Sequence, residues 1–296
     1  MATNIPTLLQ PGFLKKLERL RLVAKRFSWA GARGEHSSPR KGFSLEFSDY
    51  KKYHSGDDLR YVDWNIYRRL DRLCLKVFTA EQEMNLYLLV DTSRSMAEGL
   101  PQKMDYAKKL AAALGYIGLK NLDRVAGGTF SSDLQSSLPL ARGKKQILRL
   151  FEFLGALTCR GETDLRTSVK SFSSVFRRPG LVVLLSDLLD PQGYRLGLEE
   201  LQRKKYQVLV IHILDEAENN LELSGDVSLF DVETEHERRL FLDADLVRRF
   251  REEVQNYFEE VESCCVSHGM DYLRTTTATP FEDFILMTLR QVRSVR

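Results

Sequence analysis

The sequence predicts an α/β protein with a doubly wound, mostly parallel sheet and a small, mainly β N-terminal subdomain. From residue 84 onward, unbroken apolar runs alternate with segments in which apolar residues recur every three or four positions. Unbroken apolar runs are typical of strands buried on both faces, and their alternation with helices is typical of a parallel sheet. Before residue 84, apolar and polar residues alternate instead. We therefore divide the chain into residues 1–83 and residues 84–296.

The predicted elements of the second part follow one another in a regular order. Apolar runs predict strands over residues 84–91, 123–132, 180–187 and 206–215. Helical periodicity predicts helices over residues 103–121, 143–158, 163–176 and 191–205. An inserted β-hairpin is predicted over 216–242, followed by a helix over 243–268, a strand over 270–277 and a closing helix over 280–295.

The first part has a different pattern and a different charge. A helix is predicted near residues 12–27, and alternating segments predict strands within 42–53 and 73–81. Residues 1–80 carry 16 Lys and Arg against 8 Asp and Glu, whereas residues 81–296 carry 28 against 33. A basic front and an acidic rear indicate two modules with different surfaces.

The overall composition is that of a globular protein, with 43% hydrophobic and 29% charged residues. No apolar run reaches the roughly 18 residues of a membrane-spanning helix, and the N-terminus lacks the pattern of a secretory signal. The cysteines show neither C-x-x-C spacing nor a zinc pattern; they are Cys74, Cys159, Cys264 and Cys265. We therefore expect a cytoplasmic protein with reduced thiols and no membrane span.

The stretch "LYLLVDTSRSM" ends a predicted strand with one carboxylate and two hydroxyls. Asp91 follows the apolar run, and Ser93 and Ser95 come at alternate positions after it. Asp and Ser are favoured helix caps, so these residues could simply begin the next helix. One cap needs one side chain, however, and three oxygen-bearing groups exceed that need. A cation site at the carboxyl end of the strand is the alternative interpretation.

Two further residues could complete such a site. Asp187 ends the apolar run 180–187 as Asp91 ends the first one, and Thr163 lies in a glycine-containing loop that opens a helix. Mg²⁺ prefers about six oxygen ligands, which a single loop cannot supply. Each residue also has a structural interpretation: Thr163 could cap its helix, and Asp187 could orient backbone amides.

These five residues resemble the metal-ion-dependent adhesion site of von Willebrand factor A domains. The resemblance rests on "DTSRS" together with Thr163 and Asp187 on the matching loops. It implies a Rossmann-like, doubly wound fold and a site for Mg²⁺ or Mn²⁺ with Asp91, Ser93, Ser95, Thr163 and Asp187 as ligands. In that family a carboxylate of a protein partner completes the coordination, so an acidic protein ligand is expected.

A narrower resemblance covers nearly the whole chain. The stretch "SGDDLRYVDW" and its flanks are similar to the signature of the bacterial domain-of-unknown-function family fifty-eight; the match rests on Gly56, Asp57, Asp58, Arg60, Asp63 and Trp64. Members of that family are commonly associated with MoxR-type AAA+ ATPases and are thought to help assemble or activate client complexes. The resemblance therefore implies an ATPase partner.

The signature residues have two interpretations. Asp57, Asp58 and Asp63 can form ion pairs with Arg60 and other arginines, and Trp64 can act as an apolar anchor. Such a network would be structural. Alternatively, the same residues could form a docking surface for the ATPase, and the sequence does not separate these two roles.

Two other functional classes fit less well. A haloacid-dehalogenase-type phosphatase needs a second acid two residues after the first, where this chain has Ser93. A metal-assisted hydrolase that uses the Asp91 site stays open as an alternative. A nucleic-acid binder would use the basic front section, but no zinc-finger or RNA-binding signature accompanies it. We expect a non-enzymatic, cation-dependent protein-binding module that does not bind nucleic acid.

Overall fold

The computed structural model describes residues 11–24, 45–80, 84–121, 123–216, 225–230 and 237–294. The described residues form two compact units. The larger unit contains the first helix and everything described from residue 84 onward, and the smaller one contains residues 45–80. Within the described ranges, no helix is both long enough and apolar enough to cross a membrane.

A six-stranded sheet forms the centre of the larger unit. Its strands are β3 (Asn85–Asp91), β4 (Arg124–Phe130), β5 (Leu134–Ala141), β6 (Leu181–Ser186), β7 (Gln207–Leu214) and β10 (Asp271–Thr276). They lie in the order β10-β7-β6-β3-β4-β5. All neighbouring pairs are parallel except β4 and β5, which are antiparallel. The mixed α/β class and the mostly parallel sheet are therefore as predicted.

The sheet is buried on both faces, as the unbroken apolar runs predicted. In β3, Leu86, Leu88 and Val90 belong to one hydrophobic cluster, whereas Tyr87 and Leu89 belong to the other. Successive side chains of a strand point to opposite faces, so each central strand contributes to both clusters.

Within the described ranges, seven helices of the larger unit cover the two faces of the sheet. One face packs against α1 (Pro11–Ala24), α3 (Lys103–Lys120), α4 (Lys144–Gly155) and the closing helix α8 (Phe281–Ser294). The other face packs against α5 (Leu165–Val175), α6 (Arg195–Arg203) and α7 (Ala244–Ser267). An antiparallel ribbon of β8 (Gly225–Phe230) and β9 (Glu237–Leu242) lies within the segment that predicted a hairpin.

Three features of the larger unit differ from the sequence analysis. Helix α1 belongs to this unit, because Phe13, Leu17 and Leu20 are part of its core, whereas the sequence analysis grouped it with the front section. Strand β5 was not predicted; it is an edge strand in which one of eight residues is buried, and it lacks a strong apolar signal. Helix α6 begins at Arg195 rather than near Pro191, since residues 190–193 form a turn.

In the smaller unit, the described residues 45–80 form one antiparallel strand pair, a short 3₁₀ turn and a short helix. Strands β1 (Leu45–Lys52) and β2 (Cys74–Ala80) pair with each other, and α2 (Trp64–Leu70) lies between them in the chain. Both strands are as predicted from the sequence. The seven-residue helix was not predicted, because it is too short to show a helical repeat.

Candidate metal centre

The candidate metal centre lies where the chain order of the sheet reverses. From β3 the chain continues through β4 and β5 on one side, and it then returns to β6, β7 and β10 on the other. Open α/β sheets bind ligands at such a switch point, beyond the carboxyl ends of the strands. Asp91 is the last residue of β3, and Asp187 directly follows β6. The two carboxylates therefore sit on neighbouring strands at the switch point.

Asp91 is fully buried and held by two hydrogen bonds. Its Oδ1 atom accepts the backbone N–H of Ser93 at 2.9 Å, and its Oδ2 atom accepts the hydroxyl of Ser186 at 2.5 Å. Burial, together with the nearby Asp187 carboxylate, raises the pKa of Asp91 to about 7. The side chain thus has a fixed orientation, and the surrounding protein disfavours its ionised form when no cation is bound.

Ser93 and Ser95 are also buried, and their hydroxyl oxygens lie 2.9 Å apart. Ser93 precedes a short 3₁₀ turn, but its side chain makes no capping hydrogen bond. The interpretation of Ser93 as a helix cap therefore does not hold. Its hydroxyl is directed toward the other serine of the motif instead.

The Thr163 loop is tied to the Asp91 loop by two backbone hydrogen bonds. The N–H of Arg160 donates to Thr92 O at 2.7 Å, and the N–H of Arg94 donates to Gly161 O at 3.0 Å. Gly161 has a φ of +78°, a conformation that glycine adopts without strain. The loop that carries Thr163 is thus held beside the D-x-S-x-S loop.

The Thr163 hydroxyl has no hydrogen-bond partner among the described residues, although its oxygen is buried. It does not cap α5, because the side chain of Asp164 accepts the N–H of Thr167 at 2.8 Å and performs that role. A buried hydroxyl without a partner is costly, so such groups in proteins commonly face a water or an ion.

Asp187 pairs with a lysine that the sequence analysis did not identify. The Nζ atom of Lys103 lies 2.7 Å from Asp187 Oδ2, and neither side chain is exposed. The other carboxylate oxygen, Oδ1, accepts the N–H of Leu189 at 3.2 Å. A signal was present in the sequence: Lys103 precedes Ala107 by four residues and so falls on the apolar face of α3.

The side chain of His212 contacts the backbone of Asp187. Its Nε2 atom lies 2.9 Å from the backbone oxygen of Asp187, and Nδ1 lies 2.8 Å from the hydroxyl of Tyr272. Burial lowers the pKa of His212 to about 4, so the ring is neutral near pH 7. Both ring nitrogens are engaged, which makes His212 a hydrogen-bonded core residue rather than a free base.

The donor set of this centre fits a hard divalent cation. It comprises two buried carboxylates and three buried hydroxyls, and carboxylate and hydroxyl oxygens suit Mg²⁺ or Mn²⁺. Across the described ranges, no group of three or more His, Cys, Asp or Glu side chains could hold a metal ion. A cation bound here would therefore need the hydroxyl groups as additional ligands. The unpartnered Thr163 hydroxyl is the observation that favours a bound cation.

The aspartates of the signature stretch are bonded within the smaller unit. Asp57 accepts the N–H of His54 at 3.0 Å and pairs with Lys51 at 3.3 Å. Asp58 caps a short 3₁₀ turn and pairs with Arg60 at 2.6 Å. These contacts make Asp57 and Asp58 part of the local turn structure.

Asp63 and Trp64 are neighbours with opposite environments. Asp63 is buried, caps α2 by accepting the N–H groups of Asn65 and Ile66, and accepts a hydrogen bond from Tyr50. Trp64 is 60% exposed and contacts Tyr67 edge to face, with ring centroids 6.1 Å apart. Trp64 therefore does not act as a buried anchor.

Comparisons with known proteins identify relatives that match most of this chain or part of it. Uncharacterized protein Rv1480 of Mycobacterium tuberculosis is 26% identical over 241 residues, which cover 80% of this chain and 76% of that protein. Uncharacterized protein MAV169 of Mycobacterium avium is 31% identical over 133 residues, which cover 45% of this chain and 76% of that protein.

Solved structures resemble this chain only loosely. The conserved hypothetical protein BatB from Bacteroides thetaiotaomicron has a TM-score of 0.41 and 14% identity, over 71% of this chain and 98% of that one. The pilus adhesin SpaC from Lactobacillus rhamnosus GG, in its open conformation, has a TM-score of 0.45 and 13% identity, over 73% of this chain and 30% of that one.

A family model gives the clearest relationship. The model described as "Protein of unknown function DUF58" matches residues 49–260. The matched range contains the signature stretch and all five candidate metal ligands. Because it covers more than half of the sequence, the chain belongs to the DUF58 family.

Proposed function

We propose that this protein is a non-enzymatic module that binds an acidic protein partner through a divalent cation, Mg²⁺ or Mn²⁺, on an A-type sheet like that of von Willebrand factor. The observation that carries the proposal is the buried, unpartnered hydroxyl of Thr163. It lies in a loop hydrogen-bonded to the loop that follows Asp91. The reversed strand order and the antiparallel edge strand β5 support the proposed fold.

The residues of the centre have distinct tasks in this proposal. Ser186 and the backbone of Ser93 orient the Asp91 carboxylate, so its oxygens need no rearrangement before they bind. The hydroxyls of Ser93, Ser95 and Thr163 add neutral ligands, which complete the coordination without adding negative charge. When bound, the cation would offer an open coordination position to a carboxylate oxygen of the partner.

A binding role fits the surroundings of the centre better than a hydrolytic one. Hydrolysis needs a positioned group that accepts or donates a proton. The nearby His212 is neutral, buried and hydrogen-bonded through both ring nitrogens. A metal-assisted hydrolase is the alternative outcome of the test described below.

The proposed partner of the whole protein is a MoxR-type AAA+ ATPase, with a role in the assembly or activation of client complexes. Membership of the DUF58 family supports this proposal through the association stated for that family. The exposed side chains of Trp64, Tyr67 and Leu70 on α2 offer a surface for docking. Arg68 and Arg69 of the same helix form no ion pair within the described ranges and suit an acidic partner surface.

The cation site can be tested by calorimetric titration with Mg²⁺ and Mn²⁺. We expect the wild-type protein to bind either ion, Asp91→Ala to bind neither, and Asp105→Ala to bind like the wild type. Asp105 is an exposed carboxylate on α3 and serves as the matched control. Binding that is equal in Asp91→Ala and the wild type would refute the site. Cation-dependent turnover of phosphoesters that Asp91→Ala abolishes would favour the hydrolase instead.

A further inference from the structure

Leu188, the residue directly after Asp187, has a left-handed backbone conformation with a φ of +56°. This conformation brings the Cβ atom close to the following carbonyl oxygen, so it is unfavourable for a leucine. Within the described ranges, two other non-glycine residues have a positive φ, and both of them, Asp71 and Lys205, follow the end of a helix, where it is common. Leu188 instead lies two residues after strand β6, and its side chain is buried.

Hydrogen bonds hold the Leu188 backbone on both sides of its Cα atom. Its N–H donates to the Ser186 hydroxyl at 2.9 Å. Its carbonyl oxygen accepts the hydroxyl of Tyr257 at 2.6 Å and the N–H of Asp190 at 2.9 Å. A change of φ rotates the carbonyl group relative to the N–H group, so both sides cannot keep their partners if φ becomes negative. Asp190 belongs to the same turn, residues 186–190, and can move with it, whereas Tyr257 belongs to helix α7.

The ring of Tyr257 is fixed by its own neighbours. It contacts Tyr194 and His212 edge to face, with ring centroids 5.8 Å and 6.4 Å apart. The next residue of α7, Phe258, is buried, and the helix packs on β10. Burial raises the pKa of Tyr257, so its hydroxyl keeps the proton that it donates. The hydrogen bond to the Leu188 carbonyl therefore comes from a donor whose position is set by the core.

The same turn orients both carboxylates of the candidate metal centre. Asp187 directly precedes Leu188, and its Oδ1 atom accepts the N–H of Leu189, which directly follows. The Ser186 hydroxyl that accepts the Leu188 N–H also donates to Oδ2 of Asp91. One hydroxyl thus joins the left-handed residue to the carboxylate on the neighbouring strand. A turn that relaxed to a negative φ would leave neither carboxylate with its present hydrogen bonds.

We propose that Tyr257 is a positioning residue of the candidate metal centre: its hydroxyl holds Leu188 in the left-handed conformation and thereby keeps the two carboxylates in place. This role rests on the proposed function, and it adds a residue from a helix that carries none of the five candidate ligands. The strain of a left-handed leucine and the strength of one hydrogen bond are similar in size. Loss of the Tyr257 hydroxyl is therefore enough to release the turn. The cation affinity then falls with the fraction of molecules that keep the turn intact.

The test compares Tyr257→Phe with Tyr87→Phe. Each substitution removes a hydroxyl that donates to a backbone carbonyl, that of Leu188 after β6 or that of Arg178 before β6. Calorimetric titration measures the Mg²⁺ affinity, and hydrogen exchange followed by NMR in chelator measures the protection of the Leu188 amide. We expect Tyr257→Phe to lower the affinity at least about fivefold and to speed this exchange at least about tenfold. Tyr87→Phe should change each by no more than about twofold.

A second background assigns the effect to the strain at Leu188. Glycine adopts a positive φ without strain, so in Leu188→Gly the turn no longer needs the Tyr257 hydroxyl. In that background we expect Tyr257→Phe to change the Mg²⁺ affinity by no more than about twofold. A loss as large as in the wild-type background would overturn the inference. Should Leu188→Gly not fold, Leu188→Asn takes its place, since Asn enters the left-handed region more readily than Leu.

The outcomes separate this inference from the proposed function. If the wild type binds Mg²⁺ and Tyr257→Phe binds it equally well, the inference is overturned and the metal centre stands. A wild-type protein that binds neither Mg²⁺ nor Mn²⁺ refutes the proposed function; the exchange rates, which need no cation, then show whether Tyr257 holds the turn. Equal exchange of the Leu188 amide in Tyr257→Phe and Tyr87→Phe overturns the role of Tyr257 in either case. Circular dichroism checks that each variant is folded.

Discussion

The hydroxyl of Ser186 donates a 2.5 Å hydrogen bond to Oδ2 of Asp91, and both side chains are buried. Ser186 is the last residue of β6, and Asp91 is the last residue of β3. The bond therefore joins two adjacent parallel strands at their carboxyl ends, where the chain order of the sheet reverses. It orients the Asp91 carboxylate through a contact between residues 95 positions apart.

Ser186→Ala should destabilise the protein. The substitution removes a donor to a buried carboxylate and also the acceptor of the Leu188 N–H, which lies 2.9 Å from the hydroxyl. We expect the free energy of unfolding in chelator to fall by about 1–3 kcal/mol, as measured by urea denaturation. Ser174→Ala is the control, because Ser174 is exposed and its hydroxyl bonds only within its own helix. Equal stability of Ser186→Ala and the control would contradict the role given to Ser186.

Asp91→Asn should stabilise the cation-free protein at alkaline pH. The pKa of Asp91 is raised from 3.8 to about 7 by burial and by Asp187. The fold therefore penalises the ionised carboxyl, and this contribution lowers wild-type stability as pH rises from about 4 to 7. We expect the variant to be more stable than the wild type by roughly 3 kcal/mol at pH 8 in chelator, with little difference near pH 4.

Added Mg²⁺ should reverse that ranking. It should raise the melting temperature of the wild type at pH 8, since only the wild type offers a full charge to the ion, and it should leave Asp91→Asn unchanged. Thermal melts with Mg²⁺ and with chelator measure both effects. A wild type that is the more stable protein at pH 8 in chelator would show that Asp91 is not penalised.

His212 should make stability fall in acid. Burial lowers its pKa from 6.5 to about 4, so between these values the unfolded chain binds a proton that the folded protein does not. Stability from this group is present above pH 6.5 and is lost as pH falls toward 4. We expect the wild-type curve to be steeper than that of His212→Gln between pH 6 and 4.5, by up to about 1.4 kcal/mol per pH unit.

The comparison with His212→Gln isolates the histidine, because Asp91 is present in both proteins and its opposite dependence cancels. Urea denaturation at several pH values gives the two curves. Parallel curves over this range would mean that the folded protein protonates His212 as readily as the unfolded chain does.

Trp64→Ala should weaken partner binding without weakening the fold. Trp64 is 60% exposed, so we expect the free energy of unfolding to change by no more than about 0.5 kcal/mol. Exposed tryptophans that anchor interfaces are commonly energetic hot spots, and we expect the affinity for a purified MoxR-type ATPase to fall at least about tenfold. Surface plasmon resonance measures the affinity.

Two other variants serve as controls for the Trp64→Ala prediction. Phe241→Ala removes an aromatic residue that is 65% exposed on the larger unit, and it should bind the ATPase as the wild type does. Asp63→Ala removes the cap of α2 and should cost about 0.5–2 kcal/mol of stability. If Trp64→Ala and Phe241→Ala bind the ATPase equally well, α2 is not the docking surface.

The sequence by itself determined the elements whose signal is local. The runs that became β3, β6 and β7 are unbroken because each strand is covered on both faces, and the positions of Asp91 and Asp187 follow from where those runs end. Edge strand β5 and the short helix α2 were missed because neither needs a long apolar repeat. An exposed element shows no clear hydrophobic pattern in the sequence.

Only the tertiary structure decided which polar groups pair with one another. Lys103 and Asp187 are 84 residues apart, and their contact exists because α3 packs on the sheet beside the end of β6. The Thr163 hydroxyl is likewise buried without a partner within the described ranges. Pairings of this kind depend on distances between separate elements, and a periodicity along the chain carries no information about those distances.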